Sequence, residues 1–521
     1  MTNIELVKEY IAETTAQQGL ISPYTSANTP KGASIAGPFG ISSMFPNLDA
    51  VCQYELGNFE FVNPQGLYPR FGRSPIIKAL EQRARDITGF ETLIILPNEK
   101  SALACIEYVG KCFPEISWSS RVKVFPNSAL QIIDFPNQES YKKGLEFWQH
   151  TGEITTARVA LNILSEDILE RNPREHNEAQ RQAQINRLKS IIHKLYKISA
   201  TNGVYINNSG MSAIFHAFRA IESLPNKNPE YEGKLVQFGF PYTDTFKILS
   251  KWSKDAELLA DFSEENFDRL RELASLRQLK AVFCEVPCNP LICSPDIARL
   301  SRILRKHKIP LVVDDTLATP FNIDLLHYAD VMVHSLTKFV SGRANVLGGA
   351  LVINPYSPLK NTLKDALDKT NFDTISSQDL ETLNINALGF KQRMKKINSN
   401  ARILAKLLRQ HPKIQWIGYP EGDSTQGNYE ELRRRDGGYG GIVSIRLADP
   451  TKVDDFMTNL YTWKGPSLGA EKTIATLYTL FAHFYELSLT RQNGIGDYDI
   501  RFSVGTDKQE LDLILKAVNK L

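Results

Sequence analysis

The sequence has no apolar run near the roughly twenty residues that a bilayer-crossing helix needs, which argues against helical membrane spans. Its opening stretch, Met1 to Gln18, sets Glu5, Lys8, Glu9 and Glu13 among its apolar residues. It therefore lacks both the apolar core of a secretory signal and the acid-poor composition of a transit peptide. An excess of one charge is missing too. The 61 Lys and Arg against 58 Asp and Glu leave a net charge of +3, so neither nucleic acid nor an anionic membrane is an expected partner. Cysteine is sparse, six in 521 residues, which fits a reducing, cytoplasmic compartment. Cys284, Cys288 and Cys293 form a cluster, but three thiols without a spaced fourth ligand read as small apolar fillers at a strand end, and no metal is expected. No internal repeat or low-complexity tract stands out, and no Gly-x-Gly-x-x-Gly follows the first strand, which removes the nucleotide-binding signature.

What is present has the proportions of a soluble protein, 42% hydrophobic and 23% charged, long enough for two or three packed units. Residues 1–72 read as an arm, a short helix followed by a Gly, Pro and Ser-rich stretch through Gly32, Pro38, Gly40 and Pro46. Ser74-Pro75 supplies an N-cap and a first-turn proline, and Ile76, Ile77, Leu80, Ala84 and Ile87 follow at helical spacing. Over 73–370, short β-rich runs alternate with amphipathic stretches: Leu93 to Leu96, Gly203 to Ile206, Leu235 to Phe238, Ala281 to Glu285, Pro310 to Val313 and Val331 to His334. That alternation predicts βαβ units and a mainly parallel sheet. An insertion at about 110–200 interrupts the rhythm, and its charged segment from His176 to Ile198 reads as a solvated amphipathic helix. Over 371–521 the pattern becomes a helix containing Ile397, Ile403 and Leu407, then alternating strands at Gly441 to Leu447 and Ile500 to Val504, as in an α+β subdomain. Arg433, Arg434 and Arg435 beside Gly437 and Gly438 read as a charged exposed loop.

The chemistry concentrates where two buried runs end. Pro310 to Val313 leads into Asp314 and Asp315, and Val331 to His334 leads into Ser335-Leu336-Thr337-Lys338. In open α/β sheets ligands lie at the carboxyl ends of strands, so adjacent strands would aim an acid and an amine into one crevice. A pyridine aldehyde cofactor needs that pair: the amine forms an imine, and the carboxylate keeps the ring nitrogen protonated. Ser335 and Thr337 flank Lys338 at alternate positions, where their hydroxyls suit a phosphate.

The segments Val313-Asp314-Asp315-Thr316-Leu317-Ala318-Thr319-Pro320 and Val333-His334-Ser335-Leu336-Thr337-Lys338-Phe339 resemble the signature of the Cys/Met-metabolism pyridoxal-phosphate enzymes. The resemblance implies fold type I of the transferases that use this cofactor: an α/β protein with a mainly parallel seven-stranded sheet and a smaller C-terminal α+β subdomain. It implies pyridoxal 5'-phosphate as cofactor, Lys338 as the Schiff-base lysine, Asp314 as partner of the ring nitrogen, and Ser335 and Thr337 as phosphate ligands. Further matches follow in family order. Ser209, Gly210 and Met211 correspond to the phosphate cup, Tyr242 to the tyrosine that stacks on the ring, and Asn289 to the partner of the phenolic oxygen. Tyr68 and Arg70, in Tyr68-Pro69-Arg70, correspond to the pair by which a neighbouring subunit grips the phosphate, which implies a homo-oligomer, a dimer or a tetramer. Arg501 corresponds to the arginine that forks onto the substrate carboxylate, and Ser467 to a serine that places the substrate and the released lysine.

Asp315 replaces a usual asparagine, Arg343-Ala344-Asn345 stands for a common His-Ser-Asp, and Pro466 occupies the place of a glutamate in bacterial-type synthases. Phe147-Trp148-Gln149-His150-Thr151-Gly152-Glu153 and Gly66-Leu67-Tyr68-Pro69-Arg70-Phe71 resemble the long, fungal-type members. Leu96-Pro97-Asn98-Glu99-Lys100-Ser101-Ala102 lies where ordinary members carry the cup, but it lacks glycine and contains Glu99, so it reads as vestigial. The expectation is γ-replacement on an O-activated homoserine by cysteine or another nucleophile, as in trans-sulfuration and methionine biosynthesis. Lys338 and Tyr242 are the catalytic candidates. A lyase of sulfur amino acids and a catalytically silent binding protein are the alternatives.

Overall fold

The computed structural model describes residues 39–41, 45, 47–58, 68–168, 178–199, 201–225, 233–372 and 375–521. The opening helix, and the arm around Gly32, Pro38 and Pro46, lie outside the described residues.

The main sheet has seven strands: β4 (Val204–Asn207), β5 (Lys234–Phe238), β6 (Ala256–Leu259), β7 (Leu279–Glu285), β8 (Leu311–Asp314), β9 (Val331–Ser335) and β10 (Gly349–Ile353). They are ordered β4-β10-β9-β8-β7-β5-β6. Strands β5 to β9 pair in parallel, and β10 runs antiparallel to β9 and β4. The sheet is therefore mainly parallel, as expected. Its central strands read as unbroken Val, Ile and Leu runs because helices cover both faces. One face carries Leu188 and Ile192 of helix Glu178–Tyr196 with Leu300 and Leu304 of helix Ile297–Lys306; the other carries Ala213 and Ala217 of helix Gly210–Glu222. Each fully buried leucine or isoleucine contributes about 1.5–3 kcal/mol. Of the segment from His176 to Ile198, Glu178–Tyr196 is a helix, yet its apolar side covers the sheet, so only its charged side meets solvent.

One strand departs from expectation. β1 (Leu93–Leu96) does not join the main sheet; it forms a separate antiparallel sheet, ordered β1-β3-β2, with β2 (Val122–Val124) and β3 (Gln131–Asp134). A four-residue apolar run specifies extended backbone but not its partner, and here Leu93 pairs with Asp134.

The C-terminal part is a five-stranded sheet, β11-β12-β15-β14-β13, from β11 (Ile414–Gly418), β12 (Ile442–Leu447), β13 (Trp463–Lys464), β14 (Ile474–Leu477) and β15 (Ile500–Ser503). Helices Phe390–Arg409 and Gln509–Lys520 pack on it. The buried stripe of helix Phe390–Arg409 is Ile397, Ala401, Leu404 and Leu408; of the predicted Ile397, Ile403 and Leu407, the first is buried, the second is partly buried against the C-terminal core, and Leu407 remains 42% exposed. The arginine loop is pinned to the body: Arg434 pairs with Asp324 at 3.0 Å, and Arg433 with Glu430 at 2.7 Å.

Candidate active site

Asp314 ends β8, and β9 ends at Ser335, one parallel register away, with Asp314 opposite Val333. Past Ser335 the chain turns, and Lys338 lines a cavity together with Asp314, Ser335, Tyr242 and Asn289. Burial pushes the Lys338 amine below its ordinary pKa, against the Tyr68 hydroxyl that it meets at 3.3 Å. Burial would raise the Tyr68 phenol, but the Lys338 and Arg70 cations outweigh it and hold that phenol below its usual value. The pair is set up to pass a proton between Nζ and the phenolic oxygen.

Two carboxylates face the cavity. Asp314 accepts the Thr316 amide at 2.8 Å, and burial pushes it up to about 6. Glu285 accepts the Tyr242 amide at 2.6 Å; burial, and then the charge of Asp314, push it well above the carboxylate range. Two neighbouring buried acids do not ionise independently, and Glu285 is pushed further toward its neutral form than Asp314.

Opposite them lies the N-terminus of helix Gly210–Glu222. Ser209 caps it by accepting the Ser212 amide at 3.0 Å, and the first-turn amides have no intrahelical acceptor. Gly210 is obligatory here: a Cβ would stand 2.6 Å from the Ser335 Cβ and 2.8 Å from its Oγ. The bare backbone therefore forms a cradle suited to an anion. Arg70, 2% exposed, closes the same wall, donating to the Tyr242 hydroxyl at 2.6 Å, the Gln149 carbonyl at 3.0 Å and Asp244 at 2.5 Å. Asp244 also meets His150 Nδ1 at 2.9 Å, and its carboxyl lies well below its usual value because Arg70 and then His150 outweigh burial.

Arg501 reaches in from β15. It is 2% exposed, and among the described residues no carboxylate pairs with it; its acceptors are the Pro466 carbonyl at 2.7 Å and, more weakly, Ser467 O and Asn289 Oδ1, both at 3.4 Å. Its Nε has no partner at all. A buried guanidinium left without a counter-charge is built to receive a carboxylate from outside. Asn289 also donates to the Tyr478 hydroxyl at 2.8 Å.

Tyr68, Arg70, Ser209, Gly210, Met211, Tyr242, Asn289, Asp314, Ser335, Lys338 and Arg501 thus meet around one cavity. Thr337 does not. Its hydroxyl donates to Gly348 O at 3.2 Å and accepts the Gly348 amide at 3.0 Å, because strand alternation stops at Ser335 and the turn swings residue 337 inward. Ser467 lies behind the wall, its Oγ buried without a partner. Asp315, the departure from asparagine, is engaged by His334 Nδ1 at 2.7 Å and the Tyr196 hydroxyl at 3.0 Å. Glu285, Asp244 and Tyr478 entered the sequence reading without a role or not at all. Glu285 ends the run from Ala281 shortly before Asn289, and Asp244 follows Tyr242 by two positions; that nearness to family-matched residues is the signal that could have found them, and Tyr478 carried none.

The residues fit pyridoxal 5'-phosphate on independent grounds: an amine shifted toward its neutral form, a charged acid on the neighbouring strand tip, and a cradle with no room for a Cβ. Together with the sheet they define a fold type I enzyme of that cofactor. The chain belongs to the Cys/Met metabolism PLP-dependent enzyme family, whose model matches residues 167–516. It is 37% identical over 306 residues to the cystathionine gamma-synthase of Neurospora crassa, covering 58% of this chain and 49% of that protein. The chain thus spans about half the length of that relative. It is 28% identical over 484 residues to the L-2-amino-4-chloropent-4-enoate dechlorinase/desaturase of Streptantibioticus cattleyicolor, covering 90% of this chain and 94% of that one. In fold it is similar to the crystal structure of cystathionine gamma synthase from Xanthomonas oryzae pv. oryzae in complex with aminoacrylate and cysteine, with a TM-score of 0.55 and 22% identity over 63% of this chain and 83% of that chain.

Proposed function

We propose that this chain catalyses γ-replacement on an O-activated homoserine, adding cysteine or another nucleophile at Cγ. The buried Arg501 without a counter-charge, on the same cavity as Lys338, carries the reading of an α-amino acid as substrate. Similarity to the Neurospora synthase supports replacement as the outcome. When bound, the cofactor supplies an electrophilic carbonyl and an electron-withdrawing ring that acidifies the substrate Cα–H. Lys338 holds it, Asp314 fixes the ring nitrogen, Tyr242 and Asn289 orient the ring, and Ser209, Gly210, Met211, Ser335, Tyr68 and Arg70 hold the phosphate. Arg501 binds the substrate carboxylate and so directs Cα toward Lys338. The Lys338 amine, favoured as a free base by burial, takes the proton from Cα and returns one along the chain, and Tyr68 relays it at the phenolic oxygen. Apolar Phe71, Leu317 and Leu468 exclude water from the cavity.

A second reading is elimination of the γ-group without replacement, which the whole-length likeness to the dechlorinase/desaturase supports. Incubation with O-acetylhomoserine, with and without cysteine, and separately with a γ-chloro amino acid, decides between them. A coupled thioether carries the first reading; a keto acid or released chloride with no coupled product overturns it in favour of the second. All six cysteines are free thiols, which supports a cytoplasmic setting. Among the described residues no helix is long and apolar enough to cross a membrane. A homo-oligomer, dimer or tetramer, completes the proposal.

A further inference from the structure

Although no internal repeat stands out in the sequence, two segments of this chain have the same strand–cap–helix arrangement. β1 and helix Glu99–Cys112 stand 111 positions before β4 and helix Gly210–Glu222, strand 93–96 against 204–207 and cap Asn98 against cap Ser209. Both caps accept the amide three residues on, Ser101 at 2.9 Å and Ser212 at 3.0 Å. Those two serines then converge on one carboxylate: Ser101 Oγ donates to Glu153 Oε2 at 3.0 Å, and Ser212 Oγ donates to Glu153 Oε1. The equivalent hydroxyls of the two segments thus sit on the two oxygens of one buried acid. Both helices also border one core cluster, Ala102, Cys105 and Tyr108 from the first and Ala213, Ile214 and Ala217 from the second, with helix Gln138–Thr151 packed against each.

The first unit cannot hold a phosphate, since Glu99 stands where the second has Gly210. What it delivers is the segment just before it. Tyr68 and Arg70 run directly into helix Pro75–Thr88, which packs on β1, and they end at Lys338, Tyr242 and Asp244 of the same chain. His150 and Gln149, from the helix that follows the first unit, complete the grip on Arg70 and Asp244.

We propose that residues 68–156 are a cofactor-less copy of the cup-bearing unit and stand in for a neighbouring subunit. They supply Tyr68 and Arg70 in cis, so that one chain holds a complete site; this rests on the reading of Lys338 as the cofactor lysine. Chains carrying Lys338→Ala and Arg70→Ala, each with its own tag, are co-expressed, and mixed assemblies are purified on both tags. The expected result is mixed assemblies whose turnover is no higher than that of the two parents. Recovery toward about half the wild-type rate per mixed dimer, the fraction of sites that a trans arrangement would restore, overturns the proposal. A second readout does not depend on turnover or on the stability of Arg70→Ala. With a photo-crosslinking phenylalanine in place of Tyr68, irradiation is expected to link position 68 to the peptide containing Lys338 or Tyr242 at the mass of one chain. A link at the mass of two chains refutes the cis arrangement. Wild-type protein without cofactor absorbance would sink the reading of Lys338, while the crosslink would still report which chain Tyr68 serves.

Discussion

The strand–turn–helix of residues 93–112 and that of 204–222 share register, caps and a common acid, yet only the second faces a cavity with a lysine and an aspartate. The difference lies in single positions. Gly210 admits an anion against Ser335 where Glu99 would repel one, and the sheet behind the second unit continues to β8 and β9, whereas that of the first stops at three strands. A scaffold can therefore be repeated without repeating its chemistry, because the chemistry sits at strand tips and at one glycine.

The sharpest test of that contrast is Lys338→Ala, which should remove the visible band of the bound cofactor and lower turnover by at least about three orders of magnitude. Retained turnover would mean that the cavity is not the site. Next comes Gly210→Ala, whose added methyl meets Ser335; equilibrium dialysis should show cofactor affinity falling about tenfold or more, while Glu99→Ala leaves it within about twofold. Equal losses in both variants would erase the distinction between the units. Glu153→Ala strands the Ser101 and Ser212 hydroxyls together and should cost about 2–3 kcal/mol in urea unfolding, with cofactor affinity falling as well.

A pH series is gentler. Burial raises Asp314 to about 6, so its charge, and with it the hold on a protonated ring nitrogen, should fade as pH drops through about 6. Cofactor reloading should show that acid limb, and Asp314→Asn should reload poorly at every pH and lack the limb. The same raised carboxyl makes the cofactor-free protein lose stability as pH climbs from about 4 to about 6, because there the folded state keeps a proton that the unfolded chain has released. The smallest effects are expected at the caps. Asn98→Ala and Ser209→Ala should each cost about 1 kcal/mol of stability, with only the second also weakening cofactor binding.

Much of this was legible beforehand because it is local. Alternating apolar runs define parallel strands, Ser74-Pro75 announces a helix start that the structure places at Pro75, and Asp314 and Lys338 follow strands whose ends are clear from composition. Less legible were features that depend on a partner. Thr337 shares the family motif but turns toward Gly348, and Leu407 fits a helical period but faces solvent because the packed stripe runs through Leu404 and Leu408. Glu285 looked like one residue of a strand end; burial beside Asp314 raises its carboxyl, which no linear pattern conveys.

By itself the sequence determined the strands that end at the site, the lysine and acid at their tips, and the cofactor chemistry those imply, since each follows from residue types within a few positions of one another. Tertiary structure alone decided that β1 leaves the main sheet, that Ser101 and Ser212 share Glu153, and that Tyr68 and Arg70 close on the lysine of their own chain. These are pairings between residues from 35 to 270 positions apart, and their selection depends on which surfaces bury together, a property of the whole fold that no window of sequence contains.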